Sequence, residues 1–305
     1  RYGGRENLDA VEFLKMLNDS VHDRFPGVVT IAEESTSWPG VSRPTSEGGL
    51  GFSMKWDMGW MHDTLQHLSR EPVHRRWHYS ELTFRGLYAF TERFVLPLSH
   101  DEVVHGKGSL ASKMPGDDWQ RRATVRLLYA MQYAQPGKKL LFMGAELAGW
   151  REWSHESELE WPLLDHKEHA GIDRLVSDLN RAYRELEPLH SGDFDPAGFE
   201  WVVADDDETD VMAWRRRGAA GDLLAVSNAT PVPRLAYRIG VPTPGAWIEL
   251  LNSDAASYGG SGVGNLGRVE TDDVPAHGQR QSLELSLPPL AMLLLGPESL
   301  GSPGP

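Results

Sequence analysis

The sequence contains no cysteine. Disulfides and thiolate metal centres are thereby excluded, and the chain suits a reducing compartment, so a cytoplasmic location is expected. No run of apolar residues is long enough to span a bilayer, and no membrane partner is expected. Positive charge is in deficit: the formal net charge is −14, with the acids spread along the chain. Such a surface repels phosphate backbones, so no nucleic-acid partner is expected, whereas a neutral substrate meets no penalty. A phosphate-cradling loop is missing, because Gly260-Ser261-Gly262-Val263-Gly264 opens no helix and reads as a turn. No Gly-x-Ser-x-Gly elbow lies between a strand and a helix. The first residues, Arg1 to Glu6, are polar and there is no initiator Met. The chain is therefore expected to begin inside a longer protein, not with a secretory leader.

What is present is ordinary in bulk and distinctive in pattern. The 305 residues, 40% hydrophobic and 24% charged, are enough for a large core and two domains. Eleven Trp is a high count for this length. Flat apolar rings carrying one N–H suit the faces of sugars, although most individual Trp are expected to be core residues.

Residues 5–18 read as a helix, with Leu8, Val11, Leu14 and Leu17 near helical spacing. Pro26-Gly27 then breaks the chain. Val28-Val29-Thr30-Ile31-Ala32 follows, a β-branched run of the kind expected for a strand buried on both faces, ending in Glu33-Glu34-Ser35-Thr36. The same grammar repeats. Gly51–Trp56, Phe94–Leu98 and Lys139–Met143 read as strands, with helices near 60–69, 80–91, 117–134 (amphipathic) and 170–186. Strands alternating with helices imply parallel βαβ units, and polar clusters recur after the strand ends, where α/β barrels carry their active sites. About four such strands are legible where a complete barrel needs eight. The expected fold is therefore the C-terminal half of a TIM (β/α)8 barrel over residues 1–190. Beyond about residue 190 the helical period vanishes. Apolar runs at Phe199–Val203, Val211–Trp214, Leu223–Val226, Trp247–Leu251 and Leu290–Leu295 imply an all-β sandwich over 191–298. Residues 299–305 are expected to be a disordered tail.

Glu33 follows a strand directly. Burial there would raise its pKa toward the range of a general acid. Glu34 is adjacent but points the other way in extended chain, so the two need not share a task. For either one alone, solvated surface charge is the simpler account. His100-Asp101 follows a later strand. A carboxylate beside an imidazole can hold sugar hydroxyls and stabilise positive charge on a reacting ring, while an N-cap at Asp101 or a satisfied core His is equally consistent with the residues alone. A zinc-protease reading of His100 to His105 fails on spacing: the two His stand five apart, not four, and Asp follows the first. No metal site is expected.

Taken together, longer stretches carry a resemblance. Ala32-Glu33-Glu34-Ser35-Thr36 with Pro39-Gly40-Val41-Ser42-Arg43-Pro44 resembles glycogen branching enzymes of the α-amylase superfamily. So do Lys55–Asp63, Leu96–Lys107, Met114–Asp117 and Leu140–Gly144. Phe194-Asp195-Pro196, Asn228–Pro233 and Leu287–Leu290 extend the likeness over nearly the whole chain, in the family's order. The resemblance implies that Glu33 is the acid/base, and that His100 and Asp101 bind the sugar and stabilise the transition state. It also implies substrate contact by Arg43, and Trp56 and Trp60, placed after a strand, are expected to line an acceptor groove. The nucleophilic Asp of a Gly-x-Arg-x-Asp-Ala-Val motif is not found. Asp9-Ala10-Val11 lacks the upstream Arg and sits in a helical segment. The nucleophile is expected upstream of this chain, with the other half of the barrel. Ala145 stands where the family commonly has Asn.

The implied activity is retaining transglycosylation that cuts α-1,4 bonds of glycogen or amylose and forms α-1,6 branches, without cofactor. The isolated chain is expected to be inactive for want of the nucleophile. A trehalohydrolase-like superfamily member and a non-catalytic glucan-binding fragment are the alternatives. The matches through Met61 and Gly106 favour branching over the first.

Overall fold

The computed structural model describes residue 4 and residues 6–301. Helix α1 (Leu8–Arg24) starts where the Asn7 side chain accepts from the Ala10 amide, with Asp9 in its first turn and His22 and Arg24 in its last. Both charge placements suit the helix dipole. The helix outruns the expected end at residue 18 because nothing from Asp19 to Arg24 breaks it. Pro26-Gly27 does, with Gly27 at φ 92°. The expected start at Arg5 lies outside the described residues.

Four short strands follow in one parallel sheet, in which spatial order is chain order: β1 (Ile31–Ala32), β2 (Met54–Trp56), β3 (Phe94–Leu98) and β4 (Lys138–Leu141). Parallel neighbours need crossovers. Helix α2 (Met58–Ser69) follows β2, α3 (Asp118–Ala134) joins β3 to β4, and α4 (Lys167–Glu185) follows β4. Every residue of β3 is buried. Pro97, within it, has no amide to donate, and from α3 the Gln132 side chain donates to the Leu96 and Leu140 carbonyls beside it (2.9 Å each).

Three expectations need correction here. The first strand is not buried on both faces: Val28, Val29 and Ile31 are 49%, 56% and 42% exposed, because β1 is the sheet edge and pairs only with β2. The 80–91 segment is not one helix. A single turn, Ser80–Thr83, tightens into Phe84–Leu87, from which Arg85 reaches Asp57 (2.9 Å) and the Pro136 carbonyl (3.0 Å). Helix α3 is amphipathic only at its start. Asp117 and Gln120 form a capping box there, and every residue from Ala123 to Ala134 is buried.

The chain then builds a six-stranded antiparallel sheet, ordered β10-β9-β12-β7-β6-β5, from β5 (Phe199–Asp206), β6 (Val211–Arg216), β7 (Leu223–Asn228), β9 (Ala246–Asn252), β10 (Arg268–Glu270) and β12 (Ala291–Pro297). A two-stranded sheet of β8 (Arg234–Val241) and β11 (Gln281–Leu287) lies over one face. Side chains alternate across a strand. Val211, Ala213, Leu224, Val226, Leu293 and Leu295 accordingly meet Ile239, Leu283 and Leu285 of the small sheet. Their neighbours Met212, Trp214, Leu223, Ala225, Met292 and Leu294 point the other way, into a core shared with α3 and α4. Burial on both faces is why β6, β7 and β12 read as unbroken apolar runs.

The two regions are thus joined through one core and through buried polar contacts. Trp214 Nε1 donates to the Ala134 carbonyl (3.1 Å), and the Tyr79 hydroxyl donates to the Val211 carbonyl (2.8 Å). The Arg75 guanidinium, fully buried, donates to the carbonyls of Leu68 (2.7 Å) and Ala229. Burial lowers its pKa to about 10, so it stays charged at neutral pH. Glu298–Gly301 make a last helical turn with Leu300 against the core, so the tail expected to be disordered from 299 is ordered at first. Residues 302–305 lie outside the described residues.

Candidate active site

The C-terminal ends of β1 to β4 present the chain's polar clusters on one edge of the parallel sheet. After β1 come Glu33 and Glu34, and the structure separates their roles. Lys55 of β2, itself 7% exposed, donates to Glu34 (2.6 Å) and to the Thr36 carbonyl (3.2 Å), while the Thr36 amide donates to Glu34 (2.6 Å). Partial burial pushes the Glu34 pKa up, but the Lys55 ammonium and the Thr36 donors outweigh it and hold the carboxyl below its ordinary value. Glu34 is therefore a fixed carboxylate, unsuited to giving up a proton. Glu33 is exposed, and no other described residue hydrogen-bonds or pairs with its carboxylate. It is not desolvated as expected, since it lies just past an edge strand.

After β2, Asp57 caps α2 through the Trp60 amide (2.9 Å) and pairs with Arg85 at 1% exposure. It is a structural anchor. Trp56 is half-buried at the strand end. Trp60 is 2% exposed and belongs to the main core, so it does not line a groove as expected. The first turn of α2 rolls it inward, away from the strand-end surface.

After β3, Ser99 caps a one-turn helix, His100–Glu102, with Glu102 completing a reciprocal box. The cap leaves the side chains of His100 and Asp101 half open, at 48% and 42% exposure, with Nε2 of His100 3.2 Å from Oδ1 of Asp101. The His100 ring stands 5.9 Å from that of Phe142, which follows β4 and meets Trp153 edge-on at 5.0 Å. A cavity beside them is lined by Ser99, Val103, Phe142, Met143, Glu152 and Trp153. Since β1 and β3 flank β2, Glu33 and Asp101 leave the same sheet edge roughly 10 Å apart, two strand spacings. Acid side chains of that separation can face one sugar ring between them.

Arg43 is not brought to this edge. The backbone amides of Val41 and Ser42 donate to Glu92 (2.8 and 2.7 Å), and Ser42 Oγ accepts from the Arg93 amide (2.8 Å). Its segment is thus anchored just before β3, at the end opposite His100 and Asp101. His100 and His105 do not share a helical face either: the turn ends at Glu102, and His105 has φ 58°. Lys55 and Glu152 were not singled out from sequence. Their signals are a lysine inside a three-residue strand and an acid facing a glycine-rich turn.

Residues 201–298 match the family of the α-amylase C-terminal all-beta domain. The chain is 61% identical over 298 residues to the 1,4-alpha-glucan branching enzyme GlgB of Cupriavidus pinatubonensis, covering 97% of this chain and 40% of that protein. It is 60% identical to the enzyme of the same name from Cupriavidus necator (97% and 39% covered) and 59% identical to that from Pseudomonas aeruginosa (97% and 41%). The chain therefore spans about two fifths of the length of the curated relatives it matches. In fold it is similar to the crystal structures of the alpha-amylase from H. orenii and the debranching enzyme from Nostoc punctiforme. Both have a TM-score of 0.61, at 15% and 14% identity, covering 97% and 93% of this chain and 58% and 54% of theirs. The chain is thus similar, over 97% of its own length, to about two fifths of curated 1,4-alpha-glucan branching enzymes, and its residues 201–298 carry the α-amylase C-terminal all-beta domain.

Proposed function

We propose that this chain supplies the acid/base and the transition-state groups of a retaining enzyme that cuts α-1,4 bonds in glycogen or amylose and rejoins the cut chain as an α-1,6 branch. The observation that carries this reading is the pairing, on one edge of a parallel sheet, of an unengaged Glu33 carboxylate with the half-exposed His100–Asp101 turn. The likeness to curated branching enzymes over 97% of the chain supports it.

In this reading β1 to β4 are half of an eight-stranded barrel over residues 1–190, and the all-β part over 191–298 backs it. The chain's two-fifths share of its relatives' length is in keeping with this division. The nucleophilic Asp belongs to the missing half, and the location is cytoplasmic. Retention proceeds through a covalent glycosyl-enzyme, with acid and nucleophile carboxyls about 5–5.5 Å apart. Glu33 protonates the departing glycosidic oxygen and then, as carboxylate, removes the proton of the incoming 6-hydroxyl. Its open, unpaired position suits a group that must change protonation state twice per turnover. Asp101 and His100 stabilise the positive charge that develops on the sugar ring. Glu34, locked to Lys55, keeps a fixed negative charge nearby. No step calls for a metal or an organic cofactor. Branching over hydrolysis follows if a glucan hydroxyl outcompetes water, with Trp56 on the acceptor side.

The test is linkage analysis of amylose treated with the complete enzyme. New α-1,6 linkages support the reading, and release of trehalose or of short linear maltodextrins alone would overturn it.

A further inference from the structure

The turn that carries Asp101 runs into a backbone that cannot hold its own shape. His105, Gly106 and Gly108 have φ of 58°, 83° and 73°. That left-handed region is open to glycine and costs a residue with a side chain, as His105 pays here. Such a path persists only when outside contacts fix it. Here the contacts come from the segment after β4. The Gly106 amide donates to Glu152 Oε1 (2.9 Å) and the Gly108 amide to Oε2 (2.7 Å), one bond per oxygen. The Trp153 amide donates to the Val103 carbonyl (3.0 Å). Between the two clamped glycines, Lys107 turns its ammonium back to the Asp101 carbonyl (2.6 Å), and Lys113 donates to the Lys107 carbonyl. The backbone bonds from Gly106 and Gly108 hold the Glu152 carboxyl below its ordinary pKa, so the clamp is charged at neutral pH.

We infer that Glu152 is a positioning residue for Asp101: it fixes the 103–108 turn through two backbone amides, and the turn aims Lys107 at the Asp101 carbonyl. Both of its oxygens are engaged by the turn, so it acts through the loop and not on the sugar. The inference rests on the reading of Asp101 as the transition-state group.

The test compares the complete enzyme with its Glu152→Gln and Glu152→Asp variants. The amide must offer an N–H to one of the two glycine amides, and the shorter acid cannot reach both. Two readouts are taken: branching kinetics on amylose, and hydrogen exchange of the peptide covering residues 99–110. The expected result for Glu152→Gln is faster exchange confined to that peptide and a kcat lower by about 10- to 100-fold, with KM within about twofold. Glu152→Asp, which keeps the charge, is expected to fall between it and the wild type. Unchanged exchange, faster exchange with unchanged kcat, or a raised KM at constant kcat would each overturn the inference. If the wild type cleaves glucan without branching, the proposed reaction fails, while the same kcat comparison on cleavage still decides the role of Glu152.

Discussion

The all-β region and the parallel αβ region differ most in how their sheets are covered. Strands β6, β7 and β12 are buried at every position, because a two-stranded layer closes one face and helices α3 and α4 the other. The parallel sheet is closed only around β3. Its first strand leaves Ile31 42% exposed, and α1 beside it leaves Phe13 and Met16 63% and 70% exposed. In the proposed reading, stability and chemistry are thereby divided. The covered region supplies the core on which α3 rests, and the open region carries Glu33 and Asp101 just past its strand ends.

Activity breaks this comparison most sharply. In the complete enzyme, Glu33→Gln and Asp101→Asn are each expected to cost about 10²–10⁴-fold in kcat, with melting temperature unchanged within error. Loss of stability without loss of rate would move the chemistry elsewhere. Next is packing. In the isolated 305-residue chain, Trp214→Ala is expected to lose about 3–5 kcal/mol in urea unfolding, because the indole is fully buried and bonded to Ala134. Phe13→Ala, on the open face, is expected to change the isolated chain by about 0.5 kcal/mol or less. In the complete protein it should cost several times more, since that face is then covered. Equal costs in both settings would mean that α1 stays open. A smaller effect than that of Trp214 concerns Glu34. Its folded pKa lies below its ordinary value, so its contribution is full above about pH 4.5 and fades as pH falls through the folded value. Glu34→Gln is therefore expected to destabilise at pH 7 by about 1 kcal/mol and to converge with the wild type in acid.

Much of this division was legible in the residues. Phe94–Leu98 matches the strand to the residue, since five consecutive buried positions leave no polar alternation to mislead. The runs behind β6, β7 and β12 were legible for the same reason. Strands β8 and β11 carry a weaker sequence signal because they are covered on one face only. Their signal is alternation, with Leu283, Leu285 and Leu287 buried between polar neighbours. At the proposed site, Glu33, His100 and Asp101 are named by the resemblance, and the structure sets all three just past the ends of parallel strands. The residues alone do not show that Glu34 is tied down, because its partner Lys55 comes from the next strand. Nor do they show that Trp60 turns inward or that Arg43 is carried to the far end of β3, because both depend on how a loop folds back.

The central claim, that this chain holds the acid but needs a partner half for its nucleophile, is tested most directly by iodine-stained amylose. The 305-residue chain is assayed alone and with the rest of its relatives' length supplied in trans. The account predicts that absorbance falls only when both are present, and that Glu33→Gln abolishes the fall. Branching by the chain alone would place a nucleophile within residues 1–305 and contradict it.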